Sequence, residues 1–338
     1  MSYFHVRQVP EPDQAAEMNR RHFLKQTLNA LTTSLLTFRT CQDAGVSLAA
    51  SPLRALRLGG PLFTNTDDPE EMARIHRQLG YRAAYCPKVD LKDSTRIGAI
   101  ANAFVRQDVV IAEVGRWVNL LDSDVEKRRA NLQLVTDGLA LAEEIGALCC
   151  VDIAGSFNTQ VWYGPHPQNL SPRFFDAAVE NARHIIDSVK PKRARFCYEM
   201  MGWSLPDSPD SFVKLLKAID RDAFAVHLDP CNIVNTPTRF YRNTDLLNEC
   251  FDKLGRWIVS CHAKDLTWDA EMNIHFREVR PGAGSVDYTT YLRRLAALPH
   301  EAPLMLEHLP TAEEYDKARL YLFDLSRQIG VNFGRDSA

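Results

Sequence analysis

The chain has 338 residues, 45% hydrophobic and 25% charged, with 16 glycines and 18 prolines. That usage excludes a disordered, collagenous or coiled-coil chain. Forty basic and 43 acidic residues leave a formal charge of -3 with no run of five like charges, so nothing in the charge pattern points to nucleic acid. No stretch approaches the roughly 20 apolar residues of a membrane span. The eight cysteines belong to a chain too long to need a disulfide framework. Cys149, Cys150, Cys197 and Cys261 sit in apolar runs, and Cys86, Cys231 and Cys250 lack metal-type spacing, so all are read as free thiols.

Residues 1–17 are polar and aperiodic; Arg20-Arg21-His22-Phe23-Leu24-Lys25 follows, then a modestly apolar stretch over 28–38 and a small-residue tract, Ser47-Leu48-Ala49. This pattern resembles a twin-arginine export signal with a cleavage site. Residues 1–51 are therefore expected to be a leader directing the protein to the periplasm. The alternative is an amphipathic helix on a cytoplasmic protein.

From residue 52 short apolar runs alternate with longer segments of helical periodicity, the mark of βαβ units around a parallel sheet. Eight strands are expected at 53–58, 81–86, 109–114, 148–153, 195–200, 223–229, 257–262 and 303–308. Their near-continuous hydrophobicity suits strands buried on both faces. Helices are expected from Pro69 to Gly80, over 125–145 and 172–189, from Pro209, and over 245–254, 288–298 and 312–329. Asp68-Pro69 and Ser208-Pro209 supply cap and first-turn residues, and Gly146 supplies a stop. Eight strands each followed by a helix predict a (β/α)8 TIM barrel over residues 52–330, a single domain between the leader and a tail at 331–338.

In a barrel, chemistry sits at the carboxyl ends of the strands. The fifth, sixth, seventh and eighth strands end in Tyr198-Glu199-Met200, His227-Leu228-Asp229, Cys261-His262 and Leu306-Glu307-His308. Three carboxylates and an imidazole thus converge on one mouth, an arrangement that is costly without a compensating cation. Three oxygen donors and one nitrogen favour Mn²⁺, with Mg²⁺ or Co²⁺ also suitable and zinc less so. The competing reading makes each residue a separate strand-end ion-pair partner.

These segments, together with Asp229-Pro230-Cys231-Asn232, His262-Ala263-Lys264-Asp265 and Pro281-Gly282-Ala283-Gly284-Ser285-Val286-Asp287-Tyr288, resemble the xylose-isomerase-like barrel superfamily over about residues 52–330. That superfamily includes the sugar isomerases and epimerases related to the tagatose and psicose 3-epimerases. The resemblance implies that Glu199, Asp229, His262 and Glu307 bind one divalent ion and that Glu199 and Glu307 also move protons. The implied chemistry is proton abstraction next to a carbonyl through a metal-stabilised enediolate. The chain departs from the family at Asn232, where many relatives carry His. An amide there hydrogen-bonds a sugar hydroxyl but transfers no proton. It also lacks a clear acid soon after Glu199. These departures, with Gly164-Pro165-His166-Pro167 after the fourth strand, are similar to barrels that cleave 3-keto glycosides by elimination, the runner-up activity.

Substrate contacts are expected from Asn232, Arg280, Trp203 and His166, with Trp162 and Tyr163 as a further aromatic wall. Lys264 and Asp265 are read as a pair beside His262 or a plain salt bridge. Glu113 is read either as a mouth residue or as the partner of Arg116, and His308 as structural, pointing away from Glu307 along a continuing strand. The partner is thus a small sugar. A homo-oligomer, and an oxidoreductase supplying a keto sugar, belong to the same set of expectations. The rival classes are an apurinic endonuclease, disfavoured by the negative charge, and a non-catalytic sugar-binding barrel.

Overall fold

A computed structural model describes residues 53–334; the leader reading falls outside them. Eight parallel strands close into a barrel in the order β1, β10, β7, β6, β5, β4, β3, β2. They are β1 (Leu58–Gly59), β2 (Ala83–Tyr85), β3 (Val110–Gly115), β4 (Cys149–Asp152), β5 (Arg195–Glu199), β6 (Phe224–Leu228), β7 (Ile258–Ala263) and β10 (Leu304–Leu306). Each of the eight expected runs overlaps one strand; most strands are shorter than expected, and β1, β3 and β7 end one residue beyond the expected limit. Closure is made by Leu58 pairing with Leu304 and Gly59 with Ala83.

Around the barrel lie α1 (Pro69–Gln78), α2 (Ser94–Arg106), α3 (Val125–Ile145), α4 (Pro172–Val189), α5 (Pro209–Ile219), α6 (Pro237–Tyr241), α7 (Asn243–Leu254), α8 (Tyr288–Ala296) and α9 (Ala312–Gln328). The caps follow the sequence. Asp68 accepts from the Glu70 amide, Ser208 and Ser211 form a capping box, and Gly146 ends α3 at φ 79°. Each helix buries one stripe, Phe174, Ala178, Ala182 and Ile185 in α4 for example.

Two helices and one hairpin go beyond the sequence reading. α2 fills the crossover between β2 and β3, α6 is a short helix before α7, and β8 (Asp265–Trp268) with β9 (Phe276–Val279) forms an antiparallel hairpin after β7. Val331 and Phe333, in the expected tail, are buried in the core. No helix among the described residues is long and apolar enough to cross a membrane.

Barrel interiors are ordinarily filled by layers of branched apolar side chains. Here the fully buried residues of the barrel strands include Glu113, Asp152, His227, Ser260 and His262. Polar groups withdrawn from water are costly unless partnered, so this cluster marks the barrel's candidate functional site.

Candidate metal centre

β5, β6, β7 and β10 are consecutive around the barrel. Glu199 is the last residue of β5, Asp229 follows β6, His262 lies near the end of β7, and Glu307 follows β10. Their donor atoms all lie within 4.8 Å of one another. His262 Nδ1 is 2.8 Å from Glu307 Oε1, 3.0 Å from Glu199 Oε1 and 3.5 Å from Asp229 Oδ2. The structure brings the four sequence-identified donors together.

One imidazole N–H serves one oxygen, yet three carboxylate oxygens crowd the same nitrogen. Asp229 Oδ2 and Glu307 Oε1 are buried without a hydrogen-bond partner. Both oxygens face the single ammonium of Lys264, at 2.7 and 2.5 Å, so one cation is shared between two carboxylates. Three carboxylates crowded around one nitrogen carry surplus negative charge that a divalent cation resolves, and the donor set is that of a hard or borderline ion. The residues fit such an ion.

The titration behaviour carries the same demand for positive charge. Burial pushes the Glu199 carboxyl above the usual carboxylate range. Burial acts likewise on Glu307, but His262 and Lys264 outweigh it and hold that carboxyl at about 2. Asp229 is held still lower by Lys264 and His262 against its burial. Burial disfavours a proton on His262, yet Glu307, Glu113 and Glu199 raise its pKa well above the ordinary value.

Lys264 is therefore part of the site, bridging Asp229 and Glu307 and donating to Asn232 Oδ1 at 3.2 Å. It makes no pair with Asp265, which instead accepts from the amides of Leu266, Gly282, Gly284 and Val286. Asn232 Nδ2 donates to Glu199 Oε1 at 3.1 Å and to the Met200 carbonyl at 3.0 Å, which fixes the orientation of Glu199.

Behind His262, Glu113 accepts from Ser260 Oγ at 3.0 Å and places Oε2 3.2 Å from His227 Nε2. Glu113 sits within β3 rather than at its end, so the Arg116 alternative gives way to this interior cluster. Trp117, at φ 42°, sets its indole 6.0 Å from the His262 ring. Asp152 Oδ1 holds the next amide, that of Val118, at 2.9 Å. A large residue with positive φ is a strained position of the kind found at functional sites.

A cavity of about 760 Å³ opens above the donors, and Glu199, Asn232, Lys264 and Glu307 line it. His308 lines it too: β10 ends at Leu306, φ at His308 is 58°, and Nδ1 lies 3.0 Å from Glu278 Oε2. The strand-alternation argument that turned His308 away fails because the strand has ended. Arg280 lies in an adjoining recess of about 280 Å³, its Nε 3.2 Å from Glu314. Trp203 is 60% exposed on the loop after β5, and His166 packs on Phe157. Neither lines the cavity. Trp162 and Tyr163 do.

No curated protein matches the chain. Solved structures do. A xylose isomerase-like TIM barrel protein from Mycobacterium smegmatis in complex with magnesium is 19% identical, TM-score 0.56, over 77% of this chain and 88% of that one. The 3-keto-D-glucoside 4-epimerase of E. coli is 14% identical, TM-score 0.57, over 80% and 99%. The D-psicose 3-epimerase of Clostridium cellulolyticum H10, solved with D-tagatose, is 12% identical, TM-score 0.58, over 82% and 100%. At these identities the likeness is one of fold. The family model for the xylose isomerase-like TIM barrel matches residues 45–325, and the chain belongs to that family.

Proposed function

We propose that the protein is a sugar isomerase or epimerase that moves a proton at carbon next to a carbonyl. One divalent ion would be held by Glu199, Asp229, His262 and Glu307, with Mn²⁺ preferred by the donor set and Mg²⁺ or Co²⁺ also fitting it. The observation that carries the reading is the bracketing of His262 Nδ1 by Glu199 and Glu307, at 3.0 and 2.8 Å, on the floor of a cavity open to small molecules. When bound, the ion supplies a Lewis acid for the carbonyl and stabilises the charge that develops there.

The side chains supply the rest. Glu199 removes the proton, its Oε1 held by Asn232 Nδ2, and Glu307 returns or relays it. Lys264, tied to Asp229, Glu307 and Asn232, orients Glu307 directly and Glu199 through Asn232. Asn232 moves no proton. It leaves acid–base work to the two glutamates. The arginine-pair leader supports a periplasmic location, which cell fractionation with and without Arg20 and Arg21 would test.

The test is incubation of metal-loaded protein with a panel of ketoses and keto glycosides in deuterated water. Deuterium next to the carbonyl with a retained carbon skeleton is the expected result. A released substituent would make the enzyme a lyase, and binding without exchange across the panel would overturn the catalytic reading.

A further inference from the structure

The cavity is lined by side chains of two chemical kinds. Glu199, Asn232, Lys264 and Glu307 are polar, whereas Tyr85, Trp117, Trp162, Tyr163 and Tyr315 are aromatic; Tyr85 donates to the Leu306 carbonyl and Trp117 lies beside His262, while Trp162 and Tyr163 belong to the loop between β4 and α4. Trp162 and Tyr163 meet edge to face at 5.1 Å and remain 36% and 46% exposed, so their faces are available to a ligand.

The loop that carries them is built rather than loose. Asn158 Oδ1 accepts from the Gln160 and Val161 amides, and its Nδ2 donates to the Pro165 carbonyl. Beneath it, buried Asn169 Nδ2 donates to the carbonyls of Gly164 and Trp203, and Ser156 Oγ donates to Gly164. Pre-ordered aromatic rings lose little entropy on binding.

Charge sets a second limit. Each cation among the described residues lining the cavity and its adjoining recess faces a carboxylate: Lys264 faces Asp229 and Glu307, His308 faces Glu278, Arg277 faces Asp269, and Arg280 faces Glu314. Among the described lining residues no cation is left to receive a phosphate. A volume of about 760 Å³ also exceeds what one sugar ring fills, lying high in the range of about 300–1,000 Å³ typical of sites that enclose drug-sized ligands.

We infer that the substrate is an uncharged sugar bearing an apolar, ring-sized substituent, a glycoside rather than a free or phosphorylated sugar. Its sugar ring lies at Glu199 and Glu307 and its substituent against Trp162 and Tyr163. The orientation rests on the isomerase or epimerase reading, because the reacting carbonyl must face those glutamates.

The experiment is calorimetric titration of the Mn²⁺-loaded protein with phenyl β-D-glucoside, methyl β-D-glucoside and glucose 6-phosphate. The phenyl glycoside is expected to bind about tenfold tighter than the methyl glycoside, the increment of one ring packed on aromatics, and the phosphate weakest. Trp162→Leu and Tyr163→Leu should each shrink that preference with metal content unchanged. Equal affinity for the two glycosides, tightest binding of the phosphate, or no binding of any probe overturns the inference, whatever the variants do. Deuterium exchange without a phenyl preference removes this inference and leaves the catalytic reading standing. A phenyl preference without exchange does the reverse.

Discussion

Glu113 on β3 and His262 on β7 meet across the interior of the barrel, Oε2 to Nε2 at 3.5 Å. Three strands, β4 to β6, lie between theirs around the wall, so the contact spans the barrel rather than joining neighbours. A carboxylate behind a ligating imidazole selects the tautomer that keeps its proton on the far nitrogen and leaves the near one free. Here that leaves Nδ1 turned to Glu199, Asp229 and Glu307. Glu113→Gln is expected to weaken divalent-metal binding about ten- to a hundredfold, read by competition with a chelating dye. Unchanged affinity would reduce Glu113 to a structural contact.

Metal binding should release a proton. The surrounding carboxylates raise the His262 pKa well above its ordinary value despite burial, and a cation on Nδ1 must displace that proton. The sign follows: affinity rises with pH and falls as acid restores the proton to His262. Titrations in two buffers of different ionisation enthalpy measure the release. A heat that does not depend on the buffer would show that His262 is not the displaced site. At free ion about a hundredfold above Kd the fold gains about 2.7 kcal/mol, so chelation should lower the melting temperature.

Glu307→Gln keeps the size of the side chain and one donor oxygen but removes the proton carrier. Exchange should fall by about 10²- to 10⁴-fold, the usual worth of one acid–base group, while part of the metal is retained. Wild-type exchange in this variant would end its assignment.

The ligand set was legible because each member follows or closes an apolar strand, and four such endings in succession are a pattern rather than a coincidence. Glu113 was singled out as a mouth residue or a partner of Arg116, but its interior cluster was not legible, since it lies inside the run Val110–Gly115 and its partners at 227, 260 and 262 are far away in sequence. α2 does carry its signal, an Asp93 cap with Ile97, Ile100 and Phe104 on one face, but polar flanks hide it. The hairpin Asp265–Trp268 with Phe276–Val279 has a seven-residue connection and none of the two-residue turn chemistry that announces a hairpin. His308 depended on where β10 stops, and strand ends are set by backbone pairing that periodicity does not report.

Asp265 offers a test of how the mouth is braced. Its two oxygens accept from Leu266 at 2.8 Å, Val286 at 2.9 Å, Gly282 at 3.0 Å and Gly284 at 3.1 Å, tying the start of the hairpin to the segment before α8. The loop passes so close that a Cβ on Gly284 would collide with Asp265 Oδ1 and the Leu266 carbonyl. Asp265→Ala strands these amides, three of them only partly buried, and should cost about 2 kcal/mol or more. Asp265→Asn, which keeps one acceptor oxygen, should fall between it and the wild type. Gly284→Ala should destabilise through the collision even though it leaves every one of those acceptors in place. Urea midpoints at constant m-value give the ranking. An Asp265→Ala variant as stable as the wild type would mean that the loop is held by its backbone bond from Ser285 to Leu266 rather than by this carboxylate.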